Sequence, residues 1–321
     1  MNREAILEIC GVKEVFEVPQ TLMKKLLSPE QSDVLNRIAV IYGDRQLDQF
    51  RDFFQEEGAD RKKLKQDYTP DGVAELLAMV SASGKSLADI CAGTGSLTIQ
   101  YLNYHPNVEF VRCEEFSAKV IPFLLINLAI RKIDAEVIHG DSLTRERFAV
   151  YAIKDGVISQ IDSPSDRKVD VVISNPPYSM AWTPISDERF DLYGLAPRTK
   201  ADFAFLLHGF HQLEDGGSMS LILPHGVLFR GNSEGSIRQQ LLEHRWYRDL
   251  FVLYEVKTSC RAFFIYYKEE VSKWLTITKQ SRKSGSIIGK NTRPSRQAKI
   301  LTRRTFMHWT CFLIRLVKDF T

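Results

Sequence analysis

A short polar motif follows one of the most apolar stretches of the sequence. Residues 169–173 read as a buried strand, and Asn175, Pro176, Pro177 and Tyr178 come almost directly after it. The two prolines cannot donate to a strand ladder, so the chain must leave the sheet here. The motif therefore places an amide and an aromatic ring at the carboxyl edge of a strand, where open α/β sheets bind ligands.

These residue types suit chemistry on a planar amino group. The side-chain oxygen of Asn175 and the carbonyl of Pro176 are two acceptors for its two hydrogens, and Tyr178 offers a face on which a flipped base can stack. Acceptors that bond both hydrogens favour the pyramidal, more nucleophilic form of the amine. Taken alone, the four residues would also suit a simple strand-ending turn.

A glycine-containing turn follows an earlier predicted strand. Gly93 and Gly95 allow the backbone to turn tightly and approach a ligand, and a helix that starts at Ser96 points its positive end at the same place. Two glycines alone are weak evidence, because a purely structural left-handed turn contains them too. The nearby Gly84-Lys85-Ser86 is not a phosphate loop, since it precedes its strand and lacks the required upstream glycine.

Acidic residues stand at the ends of three successive predicted strands. Asp89 belongs to the first, Glu114 and Glu115 end the second, and Asp141 ends the third. In a parallel sheet these ends meet at one edge, where an acidic residue reaches ribose hydroxyls. Such carboxylates suit a nucleoside with a free ribose, an adenine amino group and an amino-acid ammonium, and they would repel a pyrophosphate.

The elements that position these residues alternate along the chain. Residues 1–66 read as helices, because apolar residues recur at spacings of three and four. From residue 71, helices alternate with short apolar strands, which predicts an α/β fold with a mostly parallel sheet and helices on both faces. Residues 152–168 and 179–200 are rich in Asp, Ser, Pro and Gly and are predicted to be loops. The predicted helices are 71–80, 96–104, 117–131 and 202–213, and the predicted strands are 86–90, 108–112, 135–138, 169–174 and 218–223.

Composition narrows the class of protein. The chain has 321 residues, of which 44% are apolar, and contains no apolar run of about 20 residues and no secretory signal pattern, so we expect a cytoplasmic protein that does not span a membrane. Its five cysteines form no CxxC pair, which argues against a metal site and against a disulfide framework.

Seven blocks of the sequence, covering about residues 66–245, resemble in order those of adenine-N6-specific DNA methyltransferases that use S-adenosylmethionine (SAM). The chain is most similar to the modification (M) subunit of type I restriction-modification systems. The resemblance implies a Rossmann-like methyltransferase fold and methyl transfer to adenine N6 in DNA. The blocks are QDYTP, DICAGTGSL, CEEF, HGDSL, SNPPYSMAW, ADFAFL and LPHGVLFRG.

The resemblance also assigns roles to residues. Asp89 would bind the methionine amino group of SAM, Glu115 its ribose and Asp141 its adenine amino group, although the adjacent Glu114 remains an alternative to Glu115. The implied cofactor-binding residues are Tyr68, Thr69, Pro70, Asp89, Gly93, Gly95, Ser96, Glu115 and Asp141. The implied catalytic residues, which would hold the target adenine, are Asn175, Pro176, Pro177 and Tyr178.

The resemblance further implies partners. Double-stranded DNA would be the substrate, a separate specificity subunit would read its sequence, and a restriction subunit could join the complex. Two alternatives stay open from the sequence: methylation of a glutamine amide in a protein, which uses the same NPPY motif, and an inactive remnant that only binds a partner or DNA.

The charge distribution divides the chain. Residues 1–255 contain 28 Lys and Arg against 37 Asp and Glu, whereas residues 256–321 contain 15 against 3. We therefore predict a helical region at 1–66, a SAM-dependent catalytic domain at 67–255 and an atypical basic tail at 256–321. The tail is either an arm that contacts DNA phosphates or out-of-frame sequence after a frameshift, and the second explanation predicts that another reading frame continues the family pattern.

Overall fold

The computed structural model describes residues 3–55, 69–243, 247–254 and 260–267. Tyr68, which the resemblance places over SAM, lies outside these ranges, as does most of the predicted basic tail. Within the described part of the chain, no helix is long and apolar enough to cross a membrane, and no group of three His, Cys, Asp or Glu side chains could hold a metal ion.

Four helices lie within residues 3–55, the described part of the region 1–66 that was predicted to be helical. Apolar side chains that recur at helical spacing, such as Val34 and Ile38, are buried, and they pack with Ile6 and Leu22 of the neighbouring helices. The helices are α1 (Arg3–Cys10), α2 (Val18–Leu26), α3 (Gln31–Ile41) and α4 (Phe50–Gln55).

A nine-stranded sheet forms the centre of the described structure. The strands are β1 (Ser86–Ile90), β2 (Phe110–Glu115), β3 (Ala135–Asp141), β4 (Glu146–Lys154), β5 (Val157–Ile161), β6 (Val169–Ser174), β7 (Leu213–Pro224), β8 (Tyr247–Tyr254) and β9 (Cys260–Tyr267). Their spatial order is β5-β4-β3-β2-β1-β6-β7-β9-β8. The five strands from β3 to β7 in that order are parallel to their neighbours, which confirms the predicted α/β class.

Helices cover both faces of this sheet. Neighbouring residues of β1 point to opposite sides, since Leu87 belongs to one apolar cluster and Ala88 to another. The first cluster also contains the N-terminal helices. The remaining helices are α5 (Asp71–Val80), α6 (Ser96–Tyr104) and α7 (Ile121–Ala129) on the side of Leu87, and α8 (Glu188–Asp191), α9 (Asp202–Gln212) and α10 (Asn232–Glu243) on the other.

One predicted loop was wrong. Most of residues 152–168 were expected to lack regular structure, but β4 and β5 form an antiparallel hairpin beside β3. Its two-residue turn consists of Asp155 (φ 52°) and Gly156 (φ 81°), and positive φ at both positions is the geometry that tight hairpins prefer. The hairpin lies at the sheet edge with many exposed residues, so it lacks the apolar run by which the other strands were recognised.

The sheet also continues past the predicted domain boundary at residue 255. Strand β9 lies between β7 and β8 and pairs antiparallel with both. Its sequence, CRAFFIYY, contains four aromatic residues and one isoleucine, which favour strands. The predicted tail thus supplies one strand of the sheet, while residues 268–321 lie outside the described ranges.

The N-terminal helices share their core with the sheet. The ring of Phe50 lies edge-on to Tyr42 and to Phe123 of α7, with centroid separations of 5.5 and 4.9 Å, and Phe50 is fully buried. The described part of the predicted helical region is therefore packed against the sheet through a continuous apolar cluster.

We expect Phe50→Ala to lower the free energy of unfolding by about 3–5 kcal/mol, because it removes a buried ring that contacts both the N-terminal helices and α7. Phe16→Ala is the matched control, since Phe16 is 74% exposed and its loss should cost less than about 0.5 kcal/mol. Urea titration of the three proteins measures the difference. Equal effects of the two substitutions would contradict a shared core.

Candidate functional site

A cavity opens at the carboxyl edge of the sheet, where β1 and β6 end side by side. Parallel pairing aligns Asp89 with Ile173, so the glycine turn and the NPPY motif leave the sheet at the same level. The cavity thus brings together one predicted cofactor turn and all four predicted catalytic residues. It is lined by Thr69, Cys91, Ala92, Gly93, Thr94, Ser96, Leu97, Glu115, Val120, Asn175, Pro176, Pro177 and Tyr178.

The turn after β1 needs glycine for two different reasons. Gly93 (φ 58°) and Gly95 (φ 94°) both take a left-handed backbone, which side chains disfavour. A Cβ added to Gly93 would meet no atom within 4 Å, so it would project into open space. A Cβ on Gly95, the N-cap residue of α6, would lie 3.0 Å from a methyl of Leu124, because the turn packs against α7.

Glu115 lies against this turn. Its carboxylate accepts hydrogen bonds from the backbone N–H groups of Gly93 (2.9 Å) and Ser117 (2.7 Å), and it lines the cavity. Burial raises the pKa of Glu115, while the two N–H donors oppose that shift. The residue is therefore both a support for the glycine turn and an acceptor at the cavity wall.

Glu114 faces the opposite side of β2. Its carboxylate bonds the His208 ring (2.8 Å) and the Gln212 amide (2.6 Å), both from α9. Burial alone would raise the pKa of Glu114, but the His208 charge and these hydrogen bonds together lower it to about 2. Because Glu114 is absent from the cavity lining, the geometry favours Glu115 where the sequence left the two residues as alternatives.

The Asn175 amide is held at both ends. Its nitrogen donates to the hydroxyl of Thr69 (2.8 Å), and its oxygen accepts from the hydroxyl of Tyr178 (2.9 Å). Thr69 comes from the QDYTP block, more than a hundred residues earlier in the chain. The two predicted groups of residues, cofactor-binding and catalytic, are thus joined by a direct hydrogen bond at the cavity.

The chain that follows Tyr178 is fixed by a buried carboxylate. Ser179 has a positive φ of 48°, and its N–H donates to Asp202 at the start of α9 (2.7 Å). Arg230 forms an ion pair with the same carboxylate and donates to the Ser179 hydroxyl (3.3 Å). Asp202 and Arg230 lie in sequence blocks that carried the resemblance, but the sequence assigned no role to either residue.

The similarity of this chain to known proteins identifies its family. A model of the N-6 DNA methylase family (N6_Mtase) matches residues 49–252. The chain belongs to this family.

Similar family relatives are methylase subunits of type I restriction enzymes. The chain is 27% identical over 197 residues to the MpnII subunit of Mycoplasma pneumoniae, covering 56% of this chain and 35% of that protein. It is 26% identical over 203 residues to the HindI subunit of Haemophilus influenzae, covering 59% and 42%. The chain therefore spans well under half the length of these relatives.

A solved structure of similar fold is the type I restriction-modification methyltransferase subunit from Streptococcus thermophilus. The TM-score is 0.56 at 23% identity, covering 88% of this chain and 74% of the other. A class I SAM-dependent methyltransferase from Listeria monocytogenes matches with a TM-score of 0.51 at 15% identity, covering 93% and 96%. This N-6 DNA methylase therefore has a methyltransferase fold.

Asp89 of this N-6 DNA methylase lies beneath the glycine turn. The residue is 1% exposed, and one carboxylate oxygen accepts from the Thr98 hydroxyl (2.7 Å) while the other has no hydrogen-bond partner. Burial raises the pKa of Asp89 to about 7, the Thr98 bond opposes the shift, and the Glu115 charge adds to it. The partnerless oxygen could receive a donor, although Asp89 is not among the residues that line the cavity.

Three other predicted cofactor residues, Gly95, Asp141 and Pro70, also lie outside the cavity lining. Asp141 accepts from the backbone N–H groups of Leu143 (2.8 Å) and Thr144 (3.3 Å), and it lines a second, polar cavity together with Glu114 and His208. Pro70 precedes α5, and its carbonyl accepts the first hydrogen bonds of that helix. The structure thus gathers Thr69, Gly93, Ser96 and Glu115 around Asn175 but leaves Asp141 apart.

The raised pKa of Asp89 predicts a pH-dependent stability. A carboxyl with a folded-state pKa near 7 and an ordinary value near 3.8 favours folding below about pH 4, and that contribution is lost as the pH rises to 7. The asparagine of Asp89→Asn does not titrate, so the variant does not lose stability in this way. Its free energy of unfolding minus that of the wild type should therefore increase between pH 4 and 7 and stay constant above pH 7. Denaturant unfolding across that range measures it, and a constant difference would contradict the burial effect.

Proposed function

We propose that this chain transfers the methyl group of SAM to the N6 amino group of adenine in duplex DNA, as the modification subunit of a type I restriction-modification complex. The observation that carries the proposal is the Asn175 amide, which lines the cavity beside the glycine turn and is oriented by hydrogen bonds at its nitrogen and its oxygen. Membership of the N-6 DNA methylase family and the methylase-subunit relatives support the same reaction.

The residues around the cavity fit SAM. Open space over Gly93 leaves room for a ligand against the backbone, and Glu115 supplies an acceptor for ribose hydroxyls at the adjacent strand end. The partnerless Asp89 oxygen beneath the turn suits the positively charged amino end. When bound, SAM supplies an electrophilic methyl group, and the reaction forms a carbon–nitrogen bond as the carbon–sulfur bond breaks.

Asn175 acts in this proposal through the orientation of its amide. The nitrogen donates to Thr69 and one lone pair of the oxygen accepts from the Tyr178 hydroxyl, so the second lone pair of the oxygen would accept from an incoming amino group. A reversed amide would present N–H groups to the amine and repel it. Together with the Pro176 carbonyl, the oxygen would bond the two N6 hydrogens and favour the nucleophilic, pyramidal amine.

Tyr178 and the buried cluster after it complete the site. The half-buried ring of Tyr178 gives an extrahelical adenine a surface for stacking. Because Asp202 and Arg230 fix Ser179, the ring and the amide keep their relative position as a base enters.

The specificity subunit and DNA are the partners that the relatives imply, with a restriction subunit as a further member of the complex. Methylation of a protein glutamine is not favoured, because the matching family and relatives are DNA methylases.

Asn175→Ala should keep its affinity for SAM and lose about 10²–10³-fold in methyl transfer, because one of the two acceptors for the amine is gone. The assay follows tritium from labelled SAM into unmethylated DNA with the chain assembled on a specificity subunit. Asn107→Ala, at an exposed turn, is the matched control and should transfer at the wild-type rate. Normal turnover by Asn175→Ala would refute the assignment.

Thr69 supplies a second test of the same geometry. Thr69→Val removes the acceptor for the Asn175 nitrogen while preserving side-chain shape, so the amide can reverse, and transfer should fall by about tenfold or more. Thr69→Ser retains the hydroxyl and should restore most of the rate. If the valine and serine variants transfer equally fast, the Thr69 hydroxyl does not orient the amide.

A further inference from the structure

A short segment of the N-terminal region lies across the two helices that flank the glycine turn. The side chains of Gln100 and Asn103 on α6 both donate to the Gln46 carbonyl, at 3.1 and 2.8 Å. Arg131, just after α7, donates to the carbonyl of Arg45 (2.9 Å). Residues 45–48, here called the strap, are therefore fastened to both helices.

The strap ends in a buried carboxylate. Asp48 is 7% exposed, and one of its oxygens accepts from the hydroxyls of Thr94 and Ser96. The other oxygen accepts from the Asn127 amide of α7 (2.9 Å) and from the backbone N–H of Phe50 (3.0 Å). Four donors thus converge on one side chain, and that side chain lies outside the catalytic domain predicted from the sequence.

These bonds hold the cavity wall. Thr94 and Ser96 line the cavity on either side of Gly95, which has a left-handed backbone. Because glycine is conformationally permissive, the turn has little stiffness of its own. Asn127 also donates to the Thr94 carbonyl (2.7 Å), so both the side chain and the backbone of that residue are fixed. Asp48 itself does not line the cavity.

We propose that Asp48 is a positioning residue for the glycine turn, which raises the affinity of the cavity for SAM without touching SAM. The inference rests on the proposed function, because SAM is the ligand in question. The strap therefore links the N-terminal helices to the cofactor site. A displacement of Asp48 would break its hydrogen bonds to the hydroxyls of Thr94 and Ser96 at the cavity wall.

A carboxylate suits this position because both oxygens only accept. Replacing Asp48 by Ala leaves the Thr94 hydroxyl without this acceptor and the buried Asn127 amide with only the Thr94 carbonyl to accept from it, which disturbs the turn. Replacing it by Asn keeps one accepting oxygen but puts an N–H group against two hydroxyls or against the Asn127 amide. The alanine substitution should therefore weaken the site more than the asparagine substitution.

The test is a double-mutant cycle read out as SAM affinity, measured by equilibrium dialysis of the full chain with tritiated SAM. Asp48→Ala should weaken binding by about tenfold or more relative to the wild type. In a Thr94→Val and Ser96→Ala background, the same substitution should have little further effect on SAM affinity, because the two hydroxyls through which Asp48 holds the turn are already gone. Additive losses would mean that Asp48 does not act through the turn.

Gln31→Ala is the matched control for a general loss of packing. Gln31 of α3 also ties the N-terminal helices to the sheet, by accepting from the Ile158 N–H (3.0 Å) and donating to its carbonyl (2.7 Å). Its loss should lower the melting temperature but leave SAM affinity unchanged. An equal loss of affinity in Gln31→Ala and Asp48→Ala would overturn the proposal.

Two further outcomes are distinguishable. If Asp48→Ala fails to fold, Asp48→Asn takes its place, with a several-fold loss of affinity that disappears in the Thr94→Val and Ser96→Ala background. If both Asp48 variants bind SAM with the affinity of the wild type, only this inference is overturned. Failure of the folded wild type to bind SAM would overturn the proposed function, and the inference with it.

Discussion

The site depends on the parallel pairing of β1 with β6. These strands are separated by about eighty residues, yet their register aligns Asp89 with Ile173, so two chemically different turns leave the sheet together. In the proposed function, the open backbone of one turn would receive the cofactor, and the amide and ring of the other would receive the base. A shift of one residue in this register would turn every side chain of β6 to the other face and separate the two functions.

Buried carboxylates hold both turns in place. Glu115 and Asp48 accept from the glycine turn, one from its backbone and one from its hydroxyls, and Asp202 accepts from the backbone after Tyr178. Hydrogen bonds to a charged acceptor are stronger than neutral ones, and a buried carboxylate that lost its donors would be costly. The turns are therefore preorganised from several directions, including the N-terminal helices, before any ligand arrives.

Sequence reasoning succeeded where burial leaves a pattern. The apolar parallel strands and the order of the seven blocks predicted the sheet, the cavity residues Thr69 and Gly93, and the NPPY turn. It missed the β4–β5 hairpin, whose residues alternate weakly at an exposed edge, and it could not separate Glu114 from Glu115, which face opposite sides of β2. The strap could not be predicted from the sequence, because no sequence spacing relates Asp48 to Ser96, which lies almost fifty residues later.

Calorimetric titration of the purified chain with SAM, and in parallel with ATP, tests the central claim most directly, because it requires neither a specificity subunit nor a target sequence. The account predicts saturable one-to-one binding of SAM and no binding of ATP, whose phosphates would meet the carboxylates at the strand ends. Folded protein that binds no SAM, or that binds ATP instead, would contradict it.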